Sequence, residues 1–319
     1  MPGLCRLAGP LTRHGPARCR AGSQEEEEEK QAHPLLRGGG SLCLPTMPEL
    51  PEVEVIRRAL AATIVGRTVV AVRGRSVRLR EPLEPSEWRR LAVGRSVTAV
   101  ERRGKSLLVS LPPAVALLHL GMSGRILVQP PGRRPLPHTH LRLLLDGGLE
   151  LRLVDPRRFG LAVISDDPAV IARRLAGLGP EPWDENWCEA LVAAAGRSRV
   201  AIRNLLLDQR VVAGVGNIYA NEALARAGIH PLRPAQGIAP ARIRRLATEI
   251  RDVLTEAVAA GGTTLEDGGF VDTAGEGGAF AVELRVYGRE GQPCSVCGTP
   301  IRRVTASARS AFLCPCCQR

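Results

Sequence analysis

The sequence predicts an α+β chain in which a β-rich domain comes first and a helical domain second, closed by a four-cysteine metal module. Three observations carry that prediction. Short β-type apolar runs separated by turn residues fill the first half, and the pattern changes to helices near "LAGLGPEPWDEN". Five of the nine cysteines crowd into the last 26 residues. The chain carries 44 basic against 32 acidic residues, a net charge of +12. At 319 residues it is long enough for two domains with real cores. No apolar run approaches the ~18–20 residues of a membrane span, so the chain reads as soluble.

Residues 1–46 hold Gly, Pro and Arg, a run from Glu25 to Glu29 and a Gly triplet, with no sustained periodicity. They read as a disordered extension. From Pro51, the positions Val55, Ile56, Ala59, Leu60 and Ile64 follow helical spacing. Short β-type runs come next: "TVVAVR", "SVTAVERR", "SLLVSL", "AVALLHL", "RILVQ", "LRLLL", "LELRLV" and "LAVIS". Gly, Pro and charged turns separate them, as in a sandwich or barrel. Helices are predicted at "RVAIRNLLLDQ", at "GNIYANEALARAG" and from about Ala239 to Ala260. A Gly-rich loop from Gly261 to Gly278 precedes a small Cys-bearing β segment.

The tail reads Cys294-x2-Cys297 and, sixteen residues on, Cys314-x2-Cys317. Two such knuckles supply four thiolates for a closed structural zinc site, with Cys316 an alternative to either of the later pair. Arg302, Arg303 and Arg309 lie between the knuckles, where guanidinium groups can meet phosphate. Of the +12 charge, +11 belongs to residues 47 onward, a field that favours polyanions, nucleic acid first. Lys105 is the one lysine in that Arg-rich stretch, and unlike Arg a buried Lys can release its proton. In "AGVGNIYANEALARAG" a Gly-rich turn leads straight into a helix, whose first amides could clamp phosphate with Asn217 as cap. Ser123 sits in G-M-S-G rather than GxSxG, so a serine hydrolase is discarded, and His119 reads as a satisfied histidine near a strand end.

Taken in order, "MPELPEVE", "RRGKSLL", "HLGMSG", "DPRRFG", "GVGNIYANEAL", "GIHP", "GGTTL", "VYGREGQPC" and the paired CxxC resemble the bacterial formamidopyrimidine-DNA glycosylases, from Met47 to Arg319. The endonuclease VIII sister family shares that architecture but typically has Gly in place of Leu50; it is the alternative reading, with oxidised pyrimidines as substrates. A non-catalytic DNA-damage binder is the other. The resemblance implies a β-sandwich domain (48–176), a helix–two-turn–helix domain (183–285) and a zinc finger (286–319), with duplex DNA held between the first two. It implies a cytoplasmic, nucleoid-associated monomer with one structural zinc. The implied activity is removal of oxidised purines followed by strand scission.

The same resemblance assigns roles. Pro48 supplies the nucleophilic amine, Glu49 is the acid/base and Glu52 lies in the same pocket. Lys105 matches the proton donor of β-elimination and Arg309 the arginine of δ-elimination. Met122, Arg157 and Phe159 match the side chains that fill the gap left by a flipped nucleotide. His138, Asn217, Arg197 and Arg199 match DNA-backbone contacts. Two places depart from the family: "GGAF" (Gly277 to Phe280) stands where Gly-Tyr-Phe is common in the lid, and Arg197-Ser198-Arg199 stands where relatives carry lysines. The third departure is the 46 residues ahead of Met47. A Pro48 inside the chain is a tertiary amide with no free amine. The expectation is that Met47 is the initiator and that residues 1–46 are untranslated or removed.

Overall fold

The computed structural model describes residues 47–264, 270–306 and 309–319. The expectation for residues 1–46 and part of the Gly-rich loop therefore lie outside the described residues. Helix α1 (Leu50–Ile64) comes first, with Pro51 in its opening turn, where a missing amide costs no hydrogen bond. Val53, Ile56, Leu60 and Ile64 form its buried stripe.

Strand β1 (Val69–Gly74) is followed by the small pair β2 (Val77–Arg78) and β3 (Pro82–Leu83) and by helix α2 (Pro85–Ala92). Then come β4 (Ala99–Arg103), β5 (Ser106–Leu111), β6 (Ala114–His119), β7 (Arg125–Gln129), β8 (Thr139–Leu145), β9 (Leu149–Val154), β10 (Leu161–Ser165) and helix α3 (Pro168–Leu175). The eight predicted β runs match β1 and β4 to β10. They form two four-stranded sheets, ordered β1-β8-β9-β7 and β10-β6-β5-β4, and every pairing is antiparallel. Alternating side chains from both sheets, such as Leu107, Val109, Leu141, Leu143 and Leu153, meet with the stripe of α1 in one core. Each such burial removes apolar surface worth about 1.5–3 kcal/mol from water. The fold is a sandwich.

The helical half contains α4 (Trp187–Gly196), α5 (Ile202–Leu207), α6 (Asn217–Arg226) and α7 (Pro240–Ala259), around a separate core that includes Trp187, Tyr219, Leu246 and Phe280. Strands β11 (Arg302–Ala306) and β12 (Arg309–Leu313) form the terminal hairpin. No helix among the described residues is long and apolar enough to cross a membrane.

The halves are pinned to each other. Glu181, on the segment joining them, accepts two bonds from Arg102 (3.0 and 2.7 Å) and one from the Gly104 amide (2.6 Å). Phe270, beyond α7, is buried in the sandwich core, and nearby Thr273 accepts at its carbonyl from the Val128 amide at 3.0 Å.

Candidate active site

The site forms where the start of α1 meets the start of α6. Glu49 is the N-cap of α1, and the Ile218 amide of α6 donates to its Oε1 at 2.9 Å. The Leu50 amide donates to the Gly214 carbonyl at 3.1 Å. So close an approach requires glycine. A Cβ on Gly216 would stand 2.2 Å from Glu49 Cδ, and one on Gly214, at φ +95°, would stand 2.3 Å from Leu50 Cδ1.

This corrects the expectation for "GVGNIY". Gly216, not Asn217, is the N-cap of α6. The helix N-terminus, with its unpaired amides and positive dipole end, is taken by the Glu49 carboxylate rather than left open for phosphate, because a buried anion needs donors. The Asn217 Nδ2 instead donates to the Ser310 carbonyl of β12 at 3.0 Å.

Glu49 is 4% exposed, and its Oε2 has no hydrogen-bond partner among the described residues. Burial pushes its pKa up to about 7, against the opposing pull of Lys105 and with a further push from Glu52. Pro48 is buried beside it. Glu52, 2% exposed, accepts from the Glu49 amide (2.8 Å), the Thr263 amide (2.9 Å) and the Tyr219 hydroxyl. Burial raises its pKa too. Its carboxylate is thus engaged by protein donors, and Glu52 acts as a buried brace between α1, α6 and the turn after α7.

Lys105 sits in the β4–β5 turn that Glu181 fastens, and is 8% exposed. Burial lowers its pKa, Glu49 and Glu52 work against that, and Arg309 adds to it. Arg309, exposed at the start of β12, therefore lies within electrostatic reach of Lys105. The structure brings Pro48, Glu49, Lys105 and Arg309 to one locality.

Met122, Arg157 and Phe159 lie on two neighbouring loops of the sandwich. Phe159 is 46% exposed, and the Arg157 guanidinium stacks 4.9 Å from its ring centroid. Sequence reasoning missed the residues that hold these loops. Ser123 donates to Asp155 Oδ1 at 2.7 Å and accepts from the Arg157 amide at 3.2 Å. Asp155, fully buried, also accepts from the Gly160 amide at 2.8 Å. The Arg80 guanidinium donates to the Phe159 carbonyl at 3.0 Å. The one signal in the sequence was the preference of short polar residues for loops, and that is a weak signal. His119 accepts from the Gly121 amide at 3.0 Å, and burial pushes its pKa down to about 4, in keeping with a neutral, satisfied imidazole.

His138 is exposed at φ 62°, and Arg197 and Arg199 are exposed where α4 ends. Phe280 of the "GGAF" stretch is buried against Tyr219 in the helical core, with ring centroids 6.1 Å apart.

The sulfurs of Cys294, Cys297, Cys314 and Cys317 all lie within 4.8 Å of one another. Tetrahedral zinc with ~2.3 Å bonds to sulfur needs separations of roughly 3.8 Å, so the donor set fits the metal. The Val296 amide faces Cys294 Sγ and the Cys317 amide faces Cys314 Sγ, each at 3.4 Å, as thiolate ligands require. Cys316 is exposed and outside the cluster.

A sandwich, a helical module and a four-sulfur finger around one buried carboxyl define a class of DNA-processing chain, and family models match each part. The formamidopyrimidine-DNA glycosylase N-terminal domain matches residues 47–162, the H2TH domain of the same family residues 178–268, and a zinc finger found in FPG and IleRS residues 291–319. The formamidopyrimidine-DNA glycosylase of Methylococcus capsulatus is 49% identical over 275 residues, covering 86% of this chain and 100% of that relative. The crystal structure of the MutM (Fpg) protein from Thermus thermophilus superposes with a TM-score of 0.76 at 41% identity, over 85% of this chain and 98% of that one. Lactococcus lactis Fpg in complex with abasic-site DNA gives 0.78 at 29% identity, over 85% and 99%. The chain belongs to the formamidopyrimidine-DNA glycosylase family, a family of enzymes.

Proposed function

We propose that this protein is a bifunctional DNA glycosylase and AP lyase of base excision repair, acting as a single chain on duplex DNA that carries oxidised purines such as 8-oxoguanine and formamidopyrimidines. The observation that carries the reading is Glu49: a buried carboxyl with a pKa near 7 and an unengaged Oε2, one residue from Pro48. A group poised near neutrality can both give and take a proton.

A damaged base in a duplex is out of reach, so the nucleotide is extruded and the gap plugged. Met122 and Phe159 are the apolar wedges, and Arg157 offers donors to the orphaned base. The Pro48 amine attacks the sugar C1′, and the base departs with the electrons of the glycosidic bond while Glu49 manages the protons. The amine then loses its proton and the C1′–O4′ bond opens, its electron pair leaving on O4′, which takes up a proton. This leaves an iminium, permanently cationic because the amine is secondary, which serves as electron sink for elimination. Lys105 then serves β-elimination and Arg309 δ-elimination. Zinc, bound by the four cysteines, supports the finger and takes no part in bond breaking.

This chemistry needs a free amine at Pro48. The family match begins at residue 47, and whole relatives align to 86% of the chain, which supports initiation at Met47. Excision of that Met ahead of the small residue Pro48 would then free the amine. Borohydride trapping on a duplex with 8-oxoguanine opposite cytosine tests the reading. A protein beginning at Pro48 is expected to give a covalent adduct that maps to its N-terminal peptide, and a chain retaining residues 1–46 none. An adduct formed by protein with Met1 intact would sink the Pro48 mechanism and point to Lys105.

A further inference from the structure

We propose that Asn221 is a positioning residue that sets the zinc hairpin so that Arg309 can reach the elimination intermediate. The inference rests on the lyase reading above, and no site assignment there includes Asn221.

Helix α6 carries Asn217 and Asn221 one turn apart on the same face. Strand β12 lies opposite them. Asn217 Nδ2 donates to the Ser310 carbonyl at 3.0 Å, and Asn221 Oδ1 accepts from the Phe312 amide at 2.8 Å. The spacings agree: four helical residues advance about 6.0 Å and two strand residues about 6.8 Å. Two side-chain amides thereby engage two backbone groups of a strand paired on its other side with β11. Asn221 is fully buried, and its Nδ2 donates to the Asn217 carbonyl at 2.6 Å and to Asn217 Oδ1 at 3.2 Å. The second of these bonds also fixes which way the Asn217 amide faces, turning its NH2 toward Ser310.

Arg309 is the residue next to Ser310. The zinc ligand Cys314 follows β12 and anchors only the base of the hairpin. Arg309 stands five residue steps from Cys314, about 17 Å along the strand, so a tilt of roughly 10° would carry its backbone about 3 Å sideways. That displacement exceeds the tolerance of a hydrogen bond. The buried Arg203 guanidinium also donates to the Arg309 carbonyl at 3.3 Å. Asn221 completes this hold by fixing Phe312 and orienting Asn217, so that the strand cannot tilt about the single Arg203 contact. The α1 groups that form the iminium do not depend on the hairpin's angle.

The test is the ratio of δ- to β-elimination product from an abasic-site duplex. Asn221→Leu is expected to lower that ratio at least fivefold, with one zinc per chain and borohydride trapping within twofold of the unaltered protein. Asn221→Ser, which keeps one acceptor and one donor, is expected to recover half or more of the lost δ product. An unchanged ratio in zinc-replete Asn221→Leu overturns the proposal, as does trapping that falls in step with the ratio. If Asn221→Leu does not fold, Asn221→Ala takes its place: an unchanged ratio in that zinc-replete variant overturns the proposal equally, and a lowered ratio supports it. Failure of the unaltered protein to form any trapped adduct is a different result and defeats the lyase reading beneath.

Discussion

Glu49 is 4% exposed and Phe159 46%, yet both face the same proposed substrate. The pocket at α1 is built by withdrawing carboxyls from water and fixing them with amides from the other half of the chain. The wedge loops are built the other way: their outer side chains stand in solvent, and order is imposed from beneath by Ser123 and Asp155. A group that transfers protons gains from a shifted pKa, which burial supplies. A group that enters a base stack must be free to leave water at the moment of contact, which exposure allows. The difference is one of chemistry against insertion.

The largest expected effect breaks the pocket side of this comparison. Glu49→Gln should reduce base release by about 10²–10⁴-fold, the range of a positioned acid–base group, while binding to lesion DNA stays within about threefold. A single-turnover assay with a filter-binding control checks it. The same variant sharpens the argument from burial. Glu49 has its folded-state pKa raised from 4.5 to about 7. Stability is then fully present below the unfolded value and is lost as pH rises through the folded one. Glu49→Gln should therefore be more stable than the unaltered protein by about 3 kcal/mol near pH 8, with no advantage near pH 4. Denaturant unfolding across that range decides the matter, and a gain at acid pH instead would count against burial as the cause.

The wedge side should respond in recognition. Arg157→Ala is expected to cost about 1–3 kcal/mol of preference for cytosine over adenine opposite the lesion. Ser123→Ala, acting only through the loop, should cost about 1 kcal/mol. Equal preference in Arg157→Ala and unaltered enzyme would remove that residue from base reading. The smallest effect belongs to the periphery: Arg199→Ala should leave base preference intact and reduce the salt slope of binding by about 0.9, one phosphate contact. A titration of affinity against salt reads it directly.

Much of this was legible in the chain. Short apolar runs bounded by turn residues marked β1 and β4 to β10, and continuous runs such as those of β6 and β9 are buried on more than one face. Helices α2, α3 and α4 were missed for local reasons. The first two are eight residues each, too short to show a period, and "WCEALVAAAG" is apolar on too many sides to show a stripe. In the site, Glu49 and Lys105 stand in motifs that resemblance could assign. What spacing could not reveal was the partner of each. The Ile218 amide is 169 positions from Glu49, and the Thr263 amide 211 from Glu52. "GVGNIY" looked like a phosphate clamp because amides at a helix start donate to any anion that fits. Which anion arrives is a tertiary fact.

The crossing of those bonds has a consequence for how the protein comes into being. The carboxyls are synthesised first, at the start of α1, and their donors (Ile218, Tyr219, Thr263) much later. Until the helical half has docked, Glu49 and Glu52 are ordinary solvated carboxylates with ordinary affinities for protons. The tuned acid therefore does not exist in a half-made chain. Assembly itself tunes the carboxyls, and the pocket takes its final character only once both halves are in place.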